Sequence, residues 1–442
     1  MKKVKRRAWS ALVIAFALLV GLGVYVYRFA TESERWVRFS ANGHLYESGS
    51  LLAGTVTDRS GVVLADVADG RRVYADDAAT RIACLHAVGD AAGNIGSGAL
   101  TAFADRLSGY NPVTGVTTGG GTVRLSIDAE LQRTACAALG AQDGAVMVCN
   151  YETGEILCMV SAPSYDPAVG FDGADPRFES VYVNRCLGAL YTPGSVFKLV
   201  TLAAALEKID DLASRTFVCT GSTETDGSVI RCTGVHGAQT IEQALANSCN
   251  CAFAEISQEL GGDVLAAYAE KLGFTQRLRV SGIATAAGRF DAAADGTTDL
   301  AWSGIGQSTD LVCPAAMLRY TAAIAAGGTG RELTLLAGEK GARTRLLSAD
   351  TAARIREMMS YNVAAAYGTW NFPGLALCAK SGTAETGDGS SHAWFTGFLD
   401  DPAHPYAFVV VAENAGSGLG HAGPVANAVL QRAVALADGT TS

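Results

Sequence analysis

Two groups of strand-like runs enclose a block of helical ones, and this order constrains the fold more than any other feature of the chain. Gly144–Cys149 and Glu155–Val160 are β-rich runs joined by a turn, Asn150 to Gly154, with suitable residue chemistry. Leu375–Thr383, Ala393–Phe398 and Tyr406–Ala412 repeat the pattern at the spacing of a meander. Between the groups the apolar periodicity is helical. It covers Ile241–Leu260 with an interruption at residues 247–250, then Pro314–Ala325, then a helix capped by Ser348 and ending near Ser360. A last helix spans Pro424–Ala437, and upstream Val123, Leu125 and Ile127 alternate as a strand before Asp128, which caps a helix carrying Leu131, Ala135 and Leu139. Strands on both sides of a helical block return to one sheet, so the expected class is α/β, an antiparallel sheet with a helical lobe.

The stretch Tyr191 to Leu206 lies between the two lobes. Pro193 and Gly194 mark a turn, and Leu199, Val200, Leu202, Ala203 and Leu206 behind it fit a buried helix. Ser195 therefore stands at a helix N-terminus, where backbone N–H groups lack intrahelical partners and are available to an oxyanion. Lys198 falls one turn further on the same face. An amine pinned among apolar neighbours loses hydration, which lowers its pKa and lets the neutral form take the serine proton. S-x-x-K alone arises by chance about once or twice in a chain this long. Here it occurs once, after Pro-Gly, and Ser248-Cys249-Asn250 and Lys380-Ser381-Gly382-Thr383 follow it in order. A rival S-x-N, Ser360 to Asn362, ends an amphipathic helix, where Ser and Asn serve as an ordinary stop. Ser248 instead interrupts two apolar helical runs, a break more readily kept for a site. Ser40-Ala41-Asn42 is a chance match ahead of the nucleophile.

Lys2, Lys3, Lys5, Arg6 and Arg7 precede a charge-free run from Ala8 to Tyr27, about the length that crosses a bilayer. Its basic flank belongs in the cytoplasm, which places everything past Thr31 outside. The run exceeds the ~7–15-residue apolar core of a cleaved leader and meets Arg28 without a small-x-small site, so it reads as an uncleaved anchor. A net charge of −9 without a basic stripe excludes nucleic acid. The segmentation is then a basic tail at residues 1–7, an anchor at 8–29, a small N-terminal unit at 30–121 ending in the linker Gly119 to Gly121, and a large domain at 122–442. Eleven cysteines contain no C-x-x-C pair and six histidines no H-E-x-x-H, so neither a metal ligand set nor a cofactor motif is visible. Most cysteines read as small core residues. Cys219 and Cys232 bracket a polar, hairpin-like segment, Thr220 to Arg231, and a disulfide between them is one arrangement the spacing allows.

The trio S-x-x-K, S-x-N and K-[ST]-G resembles the pattern of penicillin-binding proteins and class A β-lactamases. Nearly the whole chain is similar to the class B penicillin-binding proteins, the membrane-anchored monofunctional D,D-transpeptidases of peptidoglycan. Leu125 to Asp128 with Leu131-Gln132, Thr153 to Leu157, Pro163 to Pro167, Asn184-Arg185, Gly306-Gln307 and Ala393 to Phe398 all fit that family. Gly54 to Ala65 resembles its pedestal signature, with Ala53 where an arginine is usual; Ser308 and Cys313 stand where glycine and threonine are usual.

The resemblance implies the penicillin-binding serine transpeptidase fold with a pedestal and one transmembrane helix. It implies that Ser195 attacks a D-alanyl-D-alanine stem peptide and that the amine of a second stem peptide resolves the acyl-enzyme. Lys198 is then the base, Ser248 relays a proton to the leaving amine, and Asn250 holds Lys198 and the substrate. The oxyanion donors are the N–H groups of Ser195 and Thr383. Lys380, Ser381 and Thr383 bind the donor carboxylate, and Gly382 leaves the strand edge open to the peptide. No cofactor is implied; β-lactams are inhibitors, and a multi-spanning glycan polymerase is the expected partner. Trp394 and Phe395 read as core aromatics, His421 as a solvated loop residue and Gln307 as a weak site candidate. The alternatives are a β-lactamase or D,D-carboxypeptidase, which pass the acyl group to water, and a non-catalytic β-lactam-binding scaffold. No Glu-x-x-Leu-Asn segment supplies a class A deacylating base, and no G-x-S-x-G marks a Ser-His-Asp hydrolase.

Overall fold

The charge-free run becomes part of one helix, α1 (Lys2–Val37), in a computed structural model that describes residues 2–37, 46–47, 50–111, 116–117, 120–387 and 389–440. Its segment Val4–Phe29 has a mean hydropathy of 2.3 and no residue buried against the rest of the chain. A helix satisfies its own backbone polar groups, so apolar side chains all round suit it to hydrocarbon. The chance triplet Ser40 to Asn42 and Gly119 of the expected linker lie outside the described residues.

Three antiparallel strands, β1 (Thr55–Thr57), β2 (Val63–Ala68) and β3 (Arg71–Tyr74), follow, the first two joined by a turn at residues 58–62. Asp58 shapes this turn, accepting from Ser60 N at 2.8 Å and Val62 N at 2.8 Å. Arg72 donates to the carbonyls of Ala53 at 2.9 Å and Gly54 at 2.8 Å, which ties β3 to the segment leading into β1. Helix α2 (Ala78–Val88) follows, capped by Asp77. Strand β4 (Thr122–Arg124) then pairs in parallel with β1 and completes a four-stranded sheet in the order β3-β2-β1-β4. The first strand after the expected linker is thus part of the N-terminal unit's sheet, so the boundary at residue 121 does not separate two sheets.

Helix α3 (Ala129–Leu139), capped by Asp128 as expected, leads into β5 (Gly144–Asn150) and β6 (Ile156–Ala162). The helical block carries the short strands β7 (Phe217–Cys219), β8 (Ser222–Thr225), β9 (Ser228–Arg231) and β10 (Gly237–Gln239), and the chain returns after it with β11 (Leu377–Glu385), β12 (Ser391–Leu399) and β13 (Tyr406–Ala412). These form one antiparallel sheet, β6-β5-β13-β12-β11, so the first and last strand groups meet as the order of elements required. Both faces are covered. Ala145, Met147, Cys149, Val409 and Val411 pack toward the helical lobe, while Val146, Val148, Phe408 and Val410 pack against α3 and the C-terminal helix. Successive strand residues point to opposite faces, so two-sided burial makes β5 and β13 read as continuous apolar runs. Strand β11 lies at the sheet edge, and it carries Lys380.

Candidate active site

The nucleophile turn is held from several sides before its helix begins. Tyr191 exchanges backbone hydrogen bonds with Val312 (3.1 and 2.8 Å), and its hydroxyl donates to Glu413 Oε1 at 2.7 Å. The same carboxylate pairs with buried Arg185 at 2.6 Å. Trp394, fully buried as a core aromatic, donates from Nε1 to Thr192 O at 3.0 Å, and Gly194 N–H donates to Gly306 O at 2.8 Å. Gly194 has φ +56, and a Cβ there would lie 2.8 Å from Thr383 O, so the turn is pressed against the strand that carries Thr383. Ser195 does not open an α-helix directly. It sits in a 3-10 turn, Gly194–Phe197, which runs into helix α4 (Lys198–Lys208).

Lys198 is fully buried, and its Nζ lies 3.1 Å from Ser195 Oγ, 2.6 Å from Ser248 O, 3.2 Å from Ser248 Oγ and 2.7 Å from Asn250 Oδ1. A carbonyl oxygen and an amide oxygen only accept. They take both N–H bonds of a neutral amine and leave its lone pair for the serine hydroxyl. Burial pushes the Lys198 ammonium down to about 7, which brings that neutral form within reach near neutral pH. Asn250 opens helix α6 (Asn250–Leu260), three residues past the end-cap Asn247 of helix α5 (Ile241–Ala246). Between them Ser248 has φ +51, a left-handed backbone in a non-glycine residue. Ser248 Oγ is also 3.0 Å from Lys380 Nζ, so one hydroxyl stands between two buried amines. Burial, then the neighbouring Lys198, holds Lys380 well below the ordinary lysine range.

The rest of the K-[ST]-G stretch departs from the expectation in part. A Cβ on Gly382 would meet Pro193 O at 3.0 Å and Val196 Cγ1 at 3.1 Å, so this glycine lets the nucleophile turn approach the strand. Ser381 N and Oγ donate to Tyr367 Oη at 2.9 and 3.2 Å. Tyr367 ends a single turn of π-helix, Val363–Tyr367, beneath the sheet, and nothing in the sequence singled it out. Thr383 is exposed, and its Oγ1 accepts from Gly418 N at 3.3 Å. Ser360 is exposed on the helix Ala349–Asn362, whereas Ser248 touches both lysines. His421 is exposed, as expected. Ser308 has φ +67, the backbone that makes glycine usual there. Cys313 occupies the N-cap before Pro314 without a side-chain capping bond, its Sγ lying 3.4 Å from Leu187 O.

All of these site residues fall within residues 144–431, which match the family of the penicillin binding protein transpeptidase domain. Peptidoglycan D,D-transpeptidase PbpA of Mycobacterium tuberculosis is 28% identical over 382 residues, covering 75% of this chain and 75% of its own length. Stage V sporulation protein D of Bacillus subtilis is 33% identical over 264 residues, 55% of this chain and 40% of its own. Among solved structures, penicillin-binding protein A from M. tuberculosis as a penicillin G acyl-enzyme complex aligns with a TM-score of 0.72 at 26% identity, over 87% of this chain and 99% of that one. The D,D-transpeptidase domain of a peptidoglycan glycosyltransferase from Eggerthella lenta aligns with a TM-score of 0.73 at 29% identity, over 88% and 99%.

Proposed function

The chain belongs to the class B penicillin-binding proteins, and from that premise we propose that it is a peptidoglycan D,D-transpeptidase working through an acyl-enzyme on Ser195. The observation that carries this reading is the placement of Lys198 Nζ, 3.1 Å from Ser195 Oγ and 2.7 Å from Asn250 Oδ1. Lys198 takes the hydroxyl proton as Ser195 attacks the carbonyl between the two terminal D-alanines of a stem peptide. The tetrahedral oxyanion is held by the N–H groups of Ser195 and Thr383, a role supported by the close packing of Gly194 on Thr383; losing one such donor costs about 3 kcal/mol. Ser248, in contact with both lysines, returns the proton to the leaving D-alanine amine. The departing residue's carboxylate lies near Lys380, Ser381 and Thr383. An incoming stem-peptide amine then attacks the ester and releases Ser195.

Edge strand β11 offers its free side to the donor peptide as an added strand. β-Lactams acylate the same serine. The apolar α1 anchors the chain in the membrane with the basic flank inside and the catalytic domain outside. A multi-spanning glycan polymerase, contacted through the anchor and the N-terminal unit, supplies the strands to be linked; the absence of any polymerase adduct from photo-crosslinkers along α1 would end that part. One experiment tests nucleophile and orientation together. A membrane-impermeant fluorescent penicillin should label the chain in intact spheroplasts and fail to label Ser195→Ala. Persistent labelling of the variant overturns the nucleophile, and labelling only after lysis overturns the orientation.

A further inference from the structure

The loop that carries Ser248 and Asn250 holds a strained residue, and on its far side stands a group of thiols. Strand β7 (Phe217–Cys219) pairs with β10 (Gly237–Gln239), and between them lies the hairpin of β8 (Ser222–Thr225) and β9 (Ser228–Arg231). Cys219 ends β7, Cys232 follows β9, His236 precedes β10, and Cys249 is the residue between Ser248 and Asn250. One ligand atom from each of these four lies within 4.8 Å of the others. Cys232 Sγ is 3.8 Å from Cys249 Sγ and 3.5 Å from His236 Nδ1. Among the described residues every cysteine is free, so the Cys219–Cys232 bridge that the spacing allowed is not formed.

These separations point to a metal. A tetrahedral ion with metal–sulfur bonds of about 2.3 Å sets its sulfurs about 3.8 Å apart, whereas a disulfide needs about 2.05 Å. The backbone N–H of Asn250 points at Cys232 Sγ from 3.2 Å, the kind of outer-shell donor that supports a metal-held thiolate. Three thiolates and one imidazole favour a borderline-soft divalent ion, and four protein ligands leave no position open for a substrate. Cys251 Sγ, 3.7 Å from Cys219 Sγ, stands just outside the set.

We propose that Cys219, Cys232, His236 and Cys249 bind one Zn2+ as a closed structural site that fixes the Ser248–Asn250 loop to the β7–β10 segment. The ligands follow the pattern C-x12-C-x3-H-x12-C, which is too widely spaced to be recognised along the chain. Binding displaces the thiol protons, and its free energy adds to that of folding the loop. The link to catalysis rests on the transpeptidase reading of Ser248 and Asn250; the metal site itself does not.

The test uses the full-length chain in detergent, reduced, stripped by a chelator and titrated with Co2+ and then Zn2+. We expect one Co2+ per chain with thiolate charge-transfer and tetrahedral d–d absorption, displaced by one equivalent of Zn2+. His236→Ala should weaken binding at least tenfold and Cys232→Ser more, while Cys136→Ser on α3 binds as the parent does. A weak octahedral spectrum, or titrations unchanged in His236→Ala and Cys232→Ser, overturns the site. So does mass spectrometry showing Cys219–Cys251 and Cys232–Cys249 disulfides in the chain isolated from membranes. The parent's own spectrum decides even where a variant misfolds. In the same preparations the Zn2+ form should acylate with penicillin at least tenfold faster than the stripped form; equal rates overturn the fixing of the loop. A chain that shows the cobalt spectrum but never labels with penicillin refutes the transpeptidase reading alone.

Discussion

Ser248 accepts a left-handed backbone at a cost of about 1–2 kcal/mol, which a residue without a role would avoid by being glycine. The strain puts its hydroxyl 3.2 Å from Lys198 Nζ and 3.0 Å from Lys380 Nζ, where it links two amines whose charged forms burial disfavours. Ser248→Ala should therefore slow acylation of Ser195 by penicillin about 10²-fold or more, within the range for lost acid–base catalysis. Ser360→Ala, on the exposed face of the helix Ala349–Asn362, should acylate at the parental rate. Stopped-flow acylation of both variants, with melting curves to exclude unfolding, checks the pair; a slow Ser360→Ala with a normal Ser248→Ala reverses the assignment.

At the level of elements, the nucleophile turn is placed by its neighbours more than by its own helix. Gly306 ends helix α7 (Thr298–Ile305) at φ +86, and a Cβ there would collide with Gly194 O and lie 2.6 Å from Phe197 Cβ. Gly306 O is also the acceptor for Gly194 N–H at 2.8 Å. Gly306→Ala thus adds backbone strain and pushes the 3-10 turn off Thr383. Acylation should fall more than tenfold although Ser195 and Lys198 are themselves unaltered, since displacing the nucleophile by about 1 Å can cost 10²-fold. The measurement is the acylation rate beside circular dichroism; a parental rate in the folded variant removes Gly306 from the account.

For the whole molecule, the C-terminal helix α8 (Gly423–Ala437) is tied back to the sheet by His404, between Asp401 Oδ2 at 2.7 Å and Asp438 Oδ1 at 3.0 Å. Asp401 first, with Asp438 and against some desolvation, raises the imidazole above its usual 6.5. A folded-state pKa above the unfolded one gives stability that is fully present below about 6.5 and is lost as pH rises through the folded value. The melting-temperature gap between the parent and His404→Gln should be widest near pH 5.5 and close by about pH 8.5. A gap that widens with pH contradicts the arrangement.

Sequence by itself determined the order of strands and helices, the caps at Asp128 and Ser348, the long apolar helix α1 and the placing of Ser195 one turn before Lys198, because hydrophobic period, capping and fixed spacing along a helix are local. It did not show that β4 belongs to the N-terminal sheet, nor that Ser195 lies in a 3-10 turn; parallel pairing and the tightness of a turn depend on what packs against them. Only the tertiary structure brought Tyr367 under Ser381, pressed Gly382 against Pro193, and gathered Cys219, Cys232, His236 and Cys249. Each of these contacts joins residues that are distant or irregularly spaced along the chain. No periodicity records them, and the side chains meet only once the sheet and the helical lobe have closed.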